Sequence, residues 1–346
     1  MSTAALATEP TSRRGLAVRT LRAGTERRDL QRTFRHLLAT IWLLDAVLQL
    51  QPFMFTPGAT GFSGMLSGLS GGNPGWVAHS INWNASVVAH HSVAANTGFA
   101  LVQFLIAFGI VSRRTCKAAL GLSVAWALGV WWFGEGLGGL LHGTATPFGG
   151  GPGAVLFYAL IAVLLWPSEG GDAPFVAARR VGATAARAIW IAVWSGLSVL
   201  SVVGSGRSPR FLQGIVATMS GSQPGWLASL DRHTSSVLAH DGTTLAIGLA
   251  VICVAIGAAI LLPSLTQKVA IATAVVLFAI IWVATENFGG ILGGGATDPN
   301  SGLPIILFVL LYWPIAAPAG IAAGIAADPP AGIAAGVGAG VGARQD

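Results

Sequence analysis

The chain has 346 residues, 53% of them hydrophobic and only 9% charged, with a mean hydropathy of +0.69. Soluble globular chains carry about 25% charged residues, so the composition excludes that class. The net charge of +6 gathers in a few runs that mark membrane topology, which argues against a nucleic-acid footprint. Two cysteines exclude a disulfide framework and a four-cysteine metal site.

Residues 1–36 form a basic segment with Arg13, Arg14, Arg19, Arg22, Arg27, Arg28, Arg32 and Arg35. It lacks the apolar core of a cleavable signal and is expected to be a cytoplasmic tail that touches anionic lipid. A membrane helix needs about 20 mainly apolar residues. Such runs lie at 37–56, 92–112, 118–136, 153–167, 187–204, 243–263, 269–287 and 303–317. The fourth and eighth end in Trp166-Pro167 and Trp313-Pro314, an interfacial aromatic followed by a helix stop. With the first tail inside, sixteen of the nineteen Lys and Arg fall on the cytoplasmic side, and Arg207, Arg210 and Arg232 fall outside. This predicts eight spans in a bacterial plasma membrane, with both termini cytoplasmic. The bacterial setting follows from seventeen Arg against two Lys, a GC-rich usage. Residues 315–346 are Ala, Gly and Pro in near-repeats and are expected to form a flexible tail, since Gly and Pro disfavour helix.

The chain also aligns on itself with an offset near 150. Asn73-Pro74-Gly75-Trp76 matches Gln223-Pro224-Gly225-Trp226, and Ser86 to His90 matches Ser236 to His240. Glu135 to Leu141 matches Glu286 to Leu292, and Ala145-Thr146 matches Ala296-Thr297. The expected fold is therefore an all-α integral membrane protein of two tandem four-helix repeats, 37–167 and 187–314, joined by a cytoplasmic linker at 168–186. Four spans per repeat is an even number, so the repeats share one orientation.

Ionisable groups at span ends are costly and usually have a partner or a task. The duplicated ones are His90 with Glu135 and His240 with Glu286, each pair at the outer ends of adjacent spans. Imidazole and carboxylate together suit a divalent metal, copper or zinc, with haem the less favoured group. The same pair suits proton transfer, or a hydrogen bond that pins two helices. His91, His142 and Asp241 are the secondary candidates for the same outward-facing site. Asp45 and Gln49, four residues apart in the first span, share one helix face and mark a second candidate, a substrate or proton path. The Gly-rich segments 136–153 and 289–302 carry no phosphate-loop pattern and are candidates for re-entrant caps over a pocket.

The first-helix run Trp42-Leu43-Leu44-Asp45-Ala46-Val47-Leu48-Gln49, followed by a longer outer loop, resembles the DoxX-type four-helix membrane proteins. The run Leu48 to Phe55 and the Glu-x-x-Gly-Gly segments also resemble multi-pass proteins of actinobacteria. The DoxX resemblance implies association with membrane redox enzymes but transfers no catalytic residue. The sequence thus leaves three expectations open: a metal-binding or redox-associated membrane subunit, a proton-coupled small-molecule or ion transporter, and a structural subunit. The expected partners are the lipid bilayer and a membrane redox complex or further copies of the chain, with no nucleic acid.

Overall fold

A computed structural model of the chain describes residues 11–56, 58–168, 173–219 and 223–315, with 11–28 as backbone only. Residues 26–315 form one compact unit; 1–25 and 316–346 make up another, of which the backbone of 11–25 is described as the start of the first helix. The Ala/Gly/Pro tail lies outside the described residues. Among the described residues there is no β-strand.

The helices in chain order begin with α1 (Thr11–Leu48), α2 (Pro52–Phe55), α3 (Phe62–Gly68), α4 (Gly75–His90) and α5 (Ser92–Val111). Next come α6 (Cys116–Phe133), α7 (Ala154–Leu164), α8 (Ala178–Val181) and α9 (Ala183–Val202). The last are α10 (Pro209–Met219), α11 (Gly225–Ala259), α12 (Ser264–Ala284) and α13 (Gly302–Leu310). Among the described residues five stretches are long and apolar enough to cross a membrane: α5, α6, α9, α11, and Ser264–Gly293, which begins with α12.

The remaining expected spans fall on α1, α7 and α13. Between residues 31 and 48, α1 carries Arg32, Arg35 and Asp45. The other two are short, at 11 and 9 residues. The first span ends at Leu48, before Pro52 opens a separate short helix with its missing N–H at the first turn. The basic segment read as a tail is helical from Thr11 and continuous with that span.

The connections expected on the outer side are also more helical than the sequence suggested. α11 runs unbroken for 35 residues, so the stretch before the sixth expected span is helix, not loop. Its inward positions include Leu227, Asp231, Ser235 and Leu238, which recur every three or four residues and seat it against α10. The matching stretch of the first half is divided, because His91 leaves helical geometry (φ −129°, ψ 39°) between α4 and α5.

A large core joins the two halves. Phe157 of α7 meets Phe308 of α13 with ring centroids 6.0 Å apart, and Phe308 also packs on Trp190 and Tyr312. Trp190 and Trp194 of α9 are fully buried, with Trp194 edge-on to Phe278. Aromatic side chains therefore fill the interior of the second half.

Candidate functional site

Each half contains the same local device after its third long helix. Glu135 follows α6 and Glu286 follows α12, and each carboxylate is succeeded by four residues in left-handed backbone conformation. These are Gly136, Leu137, Gly138 and Gly139 in the first half (φ 57° to 74°), and Asn287, Phe288, Gly289 and Gly290 in the second (φ 52° to 78°). Left-handed geometry costs a side-chain-bearing residue about 1–2 kcal/mol, which is why the Glu-x-x-Gly-Gly spacing recurs. At Gly138 the need is doubled, since a Cβ would stand 1.8 Å from the Pro152 carbonyl oxygen.

The turn folds the chain back so that each carboxylate meets the start of the next helix. Glu135 Oε1 accepts the Val155 N–H at 3.3 Å. Glu286 Oε2 accepts the Gly302 N–H at 2.9 Å, and its Oε1 accepts the Ser301 hydroxyl. A tryptophan one turn earlier braces each return: Trp131 Nε1–H donates to Pro152 O at 2.8 Å and Trp282 Nε1–H to Pro299 O at 2.6 Å. The acids thus occupy the positive ends of α7 and α13, where a carboxylate satisfies otherwise unpaired N–H groups.

The two devices differ in what remains free. Glu286 is fully buried with both oxygens engaged, while Glu135 Oε2 is enclosed and has no hydrogen-bond partner. Glu135 borders a cavity of about 330 Å³ in the first half, and Asp45 and Gln49 line the same cavity. Asp45 is 2% exposed and accepts the Tyr158 hydroxyl at 3.2 Å; Gln49 donates to Asn96 at 2.6 Å. Gln103, 7% exposed, and Trp126 also face it, and Gln103 Oε1 and Trp126 Nε1 have no partner. Trp42, Phe62, Phe99 and Phe133 supply aromatic wall.

The third acid of the cavity comes from the other half. Asp298, in the second Gly-rich segment, lines it beside Thr297. Asp298 accepts the Thr297 hydroxyl and the Asn300 N–H, both at 2.7 Å. A neighbouring cavity of about 500 Å³, built from both Gly-rich segments, is lined by Gly134, Glu135, Thr297 and Asp298 as well. These four residues therefore border an inner chamber and an outer vestibule at once. Among the described residues no lysine, arginine or histidine lines the inner chamber.

The expected His/Glu pairs are not formed. His90 is exposed and its Nδ1 is bonded to the Ser86 carbonyl of its own helix at 2.7 Å; exposed His240 does the same with Ser236 at 2.8 Å. The inward residues of α4 are Val77, Ile81, Ala85 and Val88, which turns position 90 away from the core. His91 and Asp241 are exposed too. His142 lines the vestibule, with Nδ1 3.1 Å from the Thr144 hydroxyl. Among the described residues no three His, Cys, Asp or Glu gather as a metal site, so the copper, zinc or haem expectation has no ligand set behind it.

Asp298, Gln103, Trp126 and Asn84 are lining residues that the sequence did not single out. Gln103 was findable as a polar residue amid the apolar run of the second span. At the matching positions of the second half stand Val193 for Asp45, Leu197 for Gln49, Cys253 for Gln103 and Leu277 for Trp126. The second half therefore has no matching polar chamber of its own, although it lends Thr297 and Asp298 to this one. In comparisons with known proteins, no family model, curated protein or solved structure matches this chain.

Proposed function

We propose that the protein is a proton-coupled carrier of a small cationic molecule. In this reading eight spans form two tandem four-helix units of like orientation, in a bacterial plasma membrane with both termini cytoplasmic. The matched Glu devices and the one-sided distribution of Lys and Arg support that arrangement. The observation that carries the function is the inner chamber: Asp45, Glu135 and Asp298 share it with aromatic walls and, among the described residues, no cationic side chain.

Carboxylates at membrane depth mark ion and substrate pathways when they face a cavity. A cationic ligand gains charge-assisted hydrogen bonds to these acids and cation–π contacts with Trp42 or Trp126. Three acids and no fixed counter-charge leave the chamber to be neutralised by protons or by the ligand, so that entry of a cation releases a proton. The two cavities that share Glu135 and Asp298 give such a ligand a route from the vestibule toward Asp45.

The test is proteoliposome exchange. With an acidic interior, external tetraethylammonium should drive proton efflux, read by an entrapped pH dye. Asp45→Asn and Glu135→Gln should each abolish it. Flux equal to that of protein-free vesicles, for tetraethylammonium and for a panel of small amines, overturns the reading.

A further inference from the structure

The far end of the first half carries a recess of opposite character. Arg32 and Arg35 of α1, Arg113 just beyond α5 and Arg179 of α8 line a cavity of about 730 Å³ whose one acidic lining residue among the described residues is Asp29. Cys116, the first residue of α6, also lines it. The 18 residues of α6 rise about 27 Å, so this recess lies at the opposite end of that helix from Glu135.

The recess is braced by the protein itself. Arg35 Nε–H donates to the Leu165 carbonyl at 2.9 Å, and buried Gln31 reaches the Leu165 and Trp166 carbonyls, each at 3.4 Å. The Arg179 carbonyl accepts the Ser168 hydroxyl at 3.0 Å. Arg32 and Arg113 are exposed. Leaving Arg179 aside, three guanidinium groups from α1 and the turn after α5 face this space with one carboxylate among the described residues, a positive balance that suits an anion. Basic recesses between membrane helices suit phosphate headgroups, because the planar guanidinium pairs with phosphate oxygens.

One rim of the recess is apolar. Val111 lines it and continues a stripe of exposed side chains up α5 through Phe108, Leu105 and Leu101. These positions, spaced three or four residues apart, lie on one side of the helix. A free phosphate would use the recess and leave the stripe untouched; a phospholipid uses both. We propose that the recess binds the phosphate headgroup of an anionic phospholipid whose acyl chains lie along α5. This site is independent of the acidic chamber.

The experiment uses the purified full-length chain in detergent, titrated with phosphatidylglycerol, phosphatidylcholine or inorganic phosphate, and reads bound lipid by native mass spectrometry beside the unfolding temperature. Phosphatidylglycerol should be preferred over phosphatidylcholine by about tenfold or more, since each arginine near the headgroup favours an anionic lipid about fivefold. Arg32→Gln/Arg113→Gln, at two exposed positions, should reduce that preference to less than about threefold while phosphatidylcholine binding stays unchanged. Should that variant not fold, 0.5 M salt on the wild type should weaken phosphatidylglycerol binding and spare phosphatidylcholine. Equal binding of the two lipids, an undiminished preference in the variant, or stabilisation by inorganic phosphate equal to that by phosphatidylglycerol overturns the proposal.

Discussion

Glu135 and Asp298 come from opposite halves of the chain, yet both border the same inner chamber and the same outer vestibule. Glu135 is anchored by one oxygen to the start of α7, leaving the other without a partner. Asp298 is held by its own segment through Thr297 and Asn300. Two acids on separately braced backbones can be neutralised one at a time without dismantling either.

Removing either charge should therefore weaken cation binding and leave the fold in place. Glu135→Gln and Asp298→Asn are each expected to lower tetraethylammonium affinity by at least about tenfold, which is about 1.4 kcal/mol. Quenching of tryptophan fluorescence reports it, since Trp42 and Trp126 line the chamber. The double variant should lose less than the product of the two single effects, because the sites share one ligand.

Glu286 should behave differently from its counterpart. It lines neither of the two cavities that Glu135 borders, and both its oxygens are engaged at the start of α13. Glu286→Ala leaves the Ser301 hydroxyl and the Gly302 N–H unpaired and should cost about 1–3 kcal/mol, seen as an unfolding temperature lower by several degrees. Glu286→Gln keeps an acceptor and should cost less. Tetraethylammonium affinity should be unchanged in the glutamine variant.

The left-handed turns predict a graded response to added methyl groups. Gly138→Ala meets the Pro152 carbonyl and Gly289→Ala meets that of Asp298, so both should be severely destabilising. Gly290 has the same backbone sign with open space around it, and Gly290→Ala should cost only the conformational term of about 1 kcal/mol. Thermal unfolding of the three variants under one condition orders them.

The duplicated histidines should be dispensable. His90→Ala and His240→Ala each remove an exposed side chain bonded to its own helix, a change expected to stay within about 0.5 kcal/mol. Neither variant should alter cation exchange. Zinc or copper should shift the unfolding temperature of wild type and double variant by the same amount.

The spans that the sequence made legible are those in which composition alone decides. The run 92–112 is α5 (Ser92–Val111), and 187–204 lies within a residue or two of the end of α9. The continuity of α11 was hidden because Asp231, Arg232 and His233 interrupt the apolar signal while the helical spacing of Leu227, Asp231, Ser235 and Leu238 persists. Duplication located Glu135 and Glu286, but adjacency of two helices says nothing of which way a side chain is turned about its axis. The inward positions of α4, had they been phased from Val77 through Val88, place His90 on the outer face. Asp298 was out of reach for another reason: its role depends on where a loop of one half lands on the other.

The brevity of α7 and α13 has a consequence for the segments that precede them. Helices of 11 and 9 residues rise about 16 and 14 Å, roughly half of a hydrocarbon core about 30 Å thick. If the proposed eight spans hold, each joins one face of the bilayer to the other only with the Gly-rich backbone as its continuation. That irregular backbone is admissible at such depth because it is enclosed by protein: Gly150 abuts Asn300 and Gly138 abuts Pro152. Connecting segments ordinarily absorb insertions and accept tags. In the eight-span reading these two do not, and an inserted residue there should lower the unfolding temperature.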